Sequence, residues 1–449
     1  MLLATVLPAL VAAGAALAAP QGPTPPAPPA GAPEAPFGTA APSARLRYDT
    51  EYPAIGYSGA ATHNAIARLQ SRLDSGAVKL TFNPVRGCLD SLLGALGIAP
   101  SSQALVYSRT SLQVGSIRAA TPRAIYFNED TYVAWVQGSE VLELAAMDDA
   151  LGQVFYVLSN RPGDGLRFRR ETDRCLSCHD TYELSGGGVP RFLLMSSYVD
   201  TRGEQMTHEG SILTTDQTPL ESRWGGWYVT GRHGSQVHLG NIQIHRVEEL
   251  AHLDEARRGN LDVLDALFDT HPYLTDKSDI VALLVLQHQV TVQNLLTRAN
   301  FDVRTALAAK DGAGSPPDEV LQKSIEPLLD AMLFVDAADI GGISGNSGFQ
   351  EWFEARGPRD AHGRSLRELD LMTRLFKYPL SYLIYSSAFE NLPDPARQYL
   401  YARLTAILRG RDSSPRYAGL SAADRKAVLE ILSATKPDFA RAAARTTSR

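Results

Sequence analysis

At 449 residues, 44% of them apolar and 20% charged, the chain is long enough for two or three ordinary domains or for one large body layered around its core. Its net charge of −6 comes without any Lys/Arg-rich stripe, which argues against a partner held by nucleic-acid phosphates.

Residues 1–18 form an apolar run ending in Ala16-Leu17-Ala18, a small-x-small cleavage pattern, and read as a signal peptide although no Lys or Arg precedes them. Residues 19–45 are dominated by Pro, Ala and Gly. Such a composition cannot bury apolar surface and predicts an extended tether. No later stretch reads as a membrane span, so the expectation is an exported protein, periplasmic or extracellular, with no stable span after cleavage.

The folded body, 46–449, is expected to be α+β and compact enough to be one unit. In a sheet-rich part, 46–170, a short helix near 63–73 precedes the runs ALVYSRTSLQVGSI, RAIYFNEDTYVAWVQG, EVLELAAMD and QVFYVLSN, which carry β-branched and aromatic residues between turn signals. A loop-rich middle, 171–250, is crowded with Gly, Ser and Trp. From 251 to 449 apolar residues recur at helical spacing, in SDIVALLVLQHQVTVQNLLTRAN, DEVLQKSIEPLLDAMLFV, SLRELDLMTRLFKY, PARQYLYARLTAIL and SAADRKAVLEILSAT. Ser278 with Asp279, Pro393-Asp394-Pro395, and Ser421 ahead of Asp424 stand where helices should start.

The chemistry centres on Arg174-Cys175-Leu176-Ser177-Cys178-His179-Asp180. In C-x-x-C-H, two thiols one helical turn apart suit the two vinyl groups of haem, and the adjacent imidazole suits its iron. Half of a zinc site is a poorer reading, because Cys88 is the only other cysteine and looks like a core thiol. A thioredoxin-type pair needs an apolar strand before it, where this chain has RFRRETDR; a plain disulfide is the remaining alternative.

The second axial ligand separates a carrier from an enzyme. A small all-α class I cytochrome c would supply a Met some tens of residues downstream, yet 207–331 holds none, and Met195 and Met206 lie close to the motif. The stretch RWGGWYVTGRHGSQVHLGN reads as a haem pocket instead. Trp224 and Trp227 would wall it, His238 or His233 would be the distal ligand, and His288 is a weaker candidate. Arg174, Arg191 and Arg223 are candidate partners for the propionates. Asp180 and Glu183 are adjacent acids, and Gly186-Gly187-Gly188 reads as a hinge. The other acids and histidines form no catalytic triad or metal motif.

With PRAIYFNEDTYVAWVQG, RCLSCH, TPLESRWGGWYVTGRHGSQVHLGN, SDIVALLVLQHQ and LRELDLMTRLFKYPLSYLIYSSAFENLP, the chain resembles a family of large exported bacterial cytochrome c domain-containing proteins of unassigned role. The resemblance implies haem c at Cys175 and Cys178, iron on His179, and the pair His233 and His238 near it. Leu239 stands where the family has Met, which removes that Met as a ligand. Two functions follow as expectations. The first is one-electron transfer with a periplasmic redox partner. The second is a haem oxidoreductase with an open sixth iron position, in which His233 or Tyr228 would act on substrate.

Overall fold

The computed structural model describes residues 48–181, 188–309 and 315–445. The expected signal peptide and tether lie outside the described residues, as do Glu183, Gly186 and Gly187. The body is α+β.

After a single helical turn at Tyr48–Glu51 come two longer helices, α1 (Ala65–Asp74) and α2 (Leu89–Leu96). Asn64 caps α1 by accepting from the backbone N–H groups of Ile66 and Ala67, two donors that a first helical turn cannot satisfy itself. Strands β1 (Ala104–Val106), β2 (Arg123–Phe127), β3 (Thr131–Trp135), β4 (Val141–Asp148), β5 (Gly152–Ser159) and β6 (Arg169–Arg170) follow as an antiparallel series. The helix α3 (Asp173–His179) carries the C-x-x-C-H residues directly after β6. The middle region adds the hairpin β7 (Met195–Ser197) and β8 (Ser211–Leu213), then β9 (Trp227–Tyr228) and β10 (Arg232–His233).

The main sheet has the order β6-β5-β4-β3-β2-β1-β9, so β9 from the middle region completes a sheet begun some 120 residues earlier. The sheet-rich part and the middle are therefore one body. Side chains alternate between its two faces, as pleating requires. Phe155, Ala145, Tyr132, Phe127, Val106 and Trp227 join one core cluster, and Tyr156, Leu144, Val133, Tyr126, Leu105 and Tyr228 join the other. The second face packs on α1 and α2.

The first face packs on α4 (Ile280–Ala308), a 29-residue helix buried along most of its length. Asp279 caps it through the N–H groups of Val281 and Ala282. By length and hydropathy α4 could cross a membrane, contrary to the sequence expectation that nothing downstream reaches spanning length, and 83% of its most apolar window is buried inside the protein. Each fully buried Leu, Val or Ile of such a helix contributes about 1.5–3 kcal/mol. Outward from α4 lie α5 (Asp318–Met332), α6 (Asp394–Leu408), α7 (Ala422–Thr435) and α8 (Pro437–Arg445). Ser421 and Asp424 form a reciprocal capping box at the start of α7.

Two expected elements are different. Of ALVYSRTSLQVGSI only Ala104–Val106 is strand, and the rest turns. SLRELDLMTRLFKY is not helical: Asp370 accepts from the Met372 N–H and the Thr373 hydroxyl, Leu371 takes φ +62°, and the chain doubles back to bridge Leu369 to Phe376.

Candidate functional site

Strand β6 ends at the edge of the sheet, and the Glu171 N–H continues its ladder to the Phe155 carbonyl, which fixes where α3 begins. Cys175 and Cys178 stand three residues apart, on one side of α3. Cys175 is half-buried against the core, Cys178 is exposed, and both are free thiols. Burial, followed by the carboxylates of Glu143 and Glu171, pushes the Cys175 thiol up to about 12. A redox-active C-x-x-C depends on a lowered thiol pKa, and burial moves Cys175 the other way. Cys88 is the buried core thiol expected, its N–H donating to the Asn160 side-chain carbonyl.

His179 ends α3 and is held at two points by one residue. Its Nδ1 lies 2.6 Å from the Arg191 carbonyl, and the Arg191 N–H donates to the His179 carbonyl at 2.9 Å. A carbonyl only accepts, so Nδ1 carries the proton and Nε2 keeps a lone pair. Burial holds the imidazole neutral, its pKa lowered to about 4. The ring leans on Phe155 of β5 at 4.4 Å between centroids.

The Arg191 carbonyl is itself anchored. Asn294 of α4 accepts from the Phe192 N–H at 2.8 Å and donates to the Phe192 carbonyl at 2.9 Å, and Gln153 of β5 donates to the same Asn294 oxygen at 3.0 Å. The longest buried helix thus holds the segment that orients His179. Sequence reasoning missed Asn294, which is one of several amides on α4 beside Gln287, Gln289, Gln293 and Asn300, so nothing local singled it out.

The Trp/Gly/His stretch occupies the opposite edge. From β5, beneath His179, to β9 is five inter-strand steps, roughly 24 Å at about 4.8 Å per step. Two axial nitrogens on one iron stand about 4 Å apart, twice a metal–imidazole bond of about 2 Å. The structure does not bring His233 or His238 to His179. They pack on each other instead, ring centroids 5.0 Å apart, with Trp224 5.5 Å from His238.

The tautomers differ as well. His238 Nδ1 accepts from the Gly240 N–H at 3.0 Å, and burial lowers its pKa to about 3, so the neutral ring carries its proton on Nε2. A protonated Nε2 has no lone pair for iron. His233 Nε2 approaches the Gly259 carbonyl at 3.4 Å, and its buried Nδ1 has no hydrogen-bond partner.

The expected walls and counter-ions are corrected likewise. Trp224 is buried at φ +66° with an unpartnered Nε1, and Trp227 donates Nε1–H to the Met195 carbonyl, so both are packing residues of the corner. Arg223 is 2% exposed and gives its N–H groups to the carbonyls of Thr218 and Asp216, which leaves it unfit for a propionate. Arg174 is exposed beside Glu171. The Tyr228 hydroxyl is committed to the Ala119 carbonyl on the other face of the sheet. Leu239 is buried in a small cluster with Met206 packed against it.

His288 is a satisfied core histidine. Its Nδ1 lies 2.7 Å from an Asp216 carboxylate oxygen and its Nε2 2.8 Å from the Ser381 hydroxyl. This is the line-up of an acid–base–nucleophile triad, which sequence reading did not expect. His288 and Ser381 are both 0% exposed and line neither of the two cavities described below, whereas Asp216 lines both, so the base and the hydroxyl are buried behind the acid and satisfy the core.

Two adjoining cavities of about 400 Å³ flank Phe334. One is lined by Arg191, Phe192 and Asn294, the other by Arg223 and Asp336; neither is lined by Cys175, Cys178 or His179. Compared with models of known families, with curated proteins and with solved structures, the chain matches none.

Proposed function

We propose that the chain carries one c-type haem, thioether-linked to Cys175 and Cys178 with His179 as its proximal ligand, and exchanges single electrons with a redox partner outside the cytoplasm. The observation that carries this reading is the state of His179. It directly follows two cysteines one turn apart, and its Nδ1–H is locked to a backbone carbonyl, which keeps Nε2 free for a metal. The donor set fits: two free thiols, one half-buried and one exposed, and a neutral imidazole. When bound, the haem supplies a one-electron iron couple.

The residues of the chain do the positioning. Arg191 fixes the imidazole tautomer, Asn294 and Gln153 hold that segment to α4 and β5, and Phe155 packs against the ring. Exposed Cys178 puts one attachment point at the surface, where a partner can approach. The apolar leader supports export, the side of the membrane on which covalent haem attachment is usually made.

The separation of His233 and His238 from the motif favours a second reading, a haem oxidoreductase with an open sixth position. Absorption spectra of the purified protein in both redox states separate the two. A low-spin six-coordinate haem is expected for the carrier; a high-spin haem that responds to peroxide or carbon monoxide would replace the carrier with the enzyme.

A further inference from the structure

The cavity of about 400 Å³ between the β7–β8 hairpin, α4 and α5 has a division of labour in its walls. Leu194, Val290, Leu295 and Phe334 give it an apolar body. Its charged lining residues are nearly all spoken for. Asp330 is paired with Arg416 and accepts from the Tyr417 hydroxyl, and Asp216 is paired with His288. Among the described residues lining the cavity, Arg191 alone has a charged group with no ion pair or hydrogen bond of its own; only its backbone is engaged, toward His179. The charged groups nearest that guanidinium are Arg298, Asp180 and Asp302.

We propose that this cavity is a binding site for a small amphipathic carboxylate, its apolar part against α4 and α5 and its carboxylate on the Arg191 guanidinium. A planar guanidinium pairs a carboxylate through two parallel N–H donors, and an apolar pocket with one such group fixes orientation as well as affinity. Scaled from a 150 Å³ cavity that holds benzene, the volume suits a ligand of about sixteen non-hydrogen atoms or fewer. The site stands on the cavity and on Arg191, independently of any haem.

The test is calorimetric titration of the full purified chain with 4-phenylbutyrate, beside its neutral counterpart 4-phenylbutan-1-ol. Saturable binding of the carboxylate, at least about tenfold weaker for the alcohol, is expected. Arg191→Gln should lose that preference and Arg191→Lys should keep part of it; Leu295→Trp, which fills the apolar part, should abolish binding of both. Absence of binding to the wild-type chain, equal binding of acid and alcohol, or an unchanged affinity in Arg191→Gln would each overturn the proposal.

Discussion

The two edges of the main sheet hold the histidines that matter, and they differ in one proton. At the β6 edge a carbonyl faces His179 Nδ1, so the lone pair lies on Nε2. At the β9 edge an N–H faces His238 Nδ1, so Nε2 carries the hydrogen. Both rings are neutral by burial, yet only the first keeps Nε2 free of a proton. What sits against the far nitrogen of an imidazole decides its chemistry more than the richness of its neighbourhood in Trp and Gly.

The largest expected effect contrasts the two edges directly. Replacing His179 by Ala should remove the proximal ligand and change the haem spectrum completely, whereas His238→Gln should leave the spectrum of the native chain unaltered. A changed spectrum in His238→Gln would put that residue back on the iron and break the comparison.

Next in size is the support of the β6 edge. Asn294→Leu leaves the Phe192 N–H and carbonyl without partners, at about 1–3 kcal/mol for a buried group left unsatisfied. The variant should unfold at lower denaturant, and the reduction potential should move because the Arg191 carbonyl is less firmly held. A stability loss with an unmoved potential would confine Asn294 to folding.

The smallest effect sharpens the β9 edge. A histidine whose folded pKa is about 3, against an ordinary value near 6.5, leaves the unfolded chain to bind the proton first. Its contribution to stability is fully present above about pH 6.5 and falls away as pH drops toward 3. Denaturant unfolding between those limits should show a pH slope shallower by up to one proton in His238→Gln. An identical slope would mean that His238 already takes up its proton in the folded chain.

Much of this was legible before the fold. Strands β2 to β5 announce themselves through alternating β-branched and aromatic residues, and Asp279 and Ser421 stood out as caps because short polar side chains at those places have one local use. SLRELDLMTRLFKY misled because its apolar residues recur at helical spacing and are indeed mostly buried, but in turns set by Asp370. C-x-x-C-H stood out because its spacing is local, and its two thiols and imidazole share one short helix. The Trp/Gly/His stretch was misread because the same residues that could line a cofactor pocket also pack a tight corner, and which edge of a sheet a segment joins is a long-range fact. Asn294 and the Asp216–His288–Ser381 relay depend on contacts across 72 to 102 positions of chain and leave no local pattern.

The central claim is covalent, so the most direct measurement is the mass of the fully denatured chain after export in a haem-attaching host. The account predicts a chain heavier by one haem, with that increment lost in the Cys175→Ala/Cys178→Ala double variant. A wild-type chain that arrives at its bare polypeptide mass, having released any haem on denaturation, would contradict it.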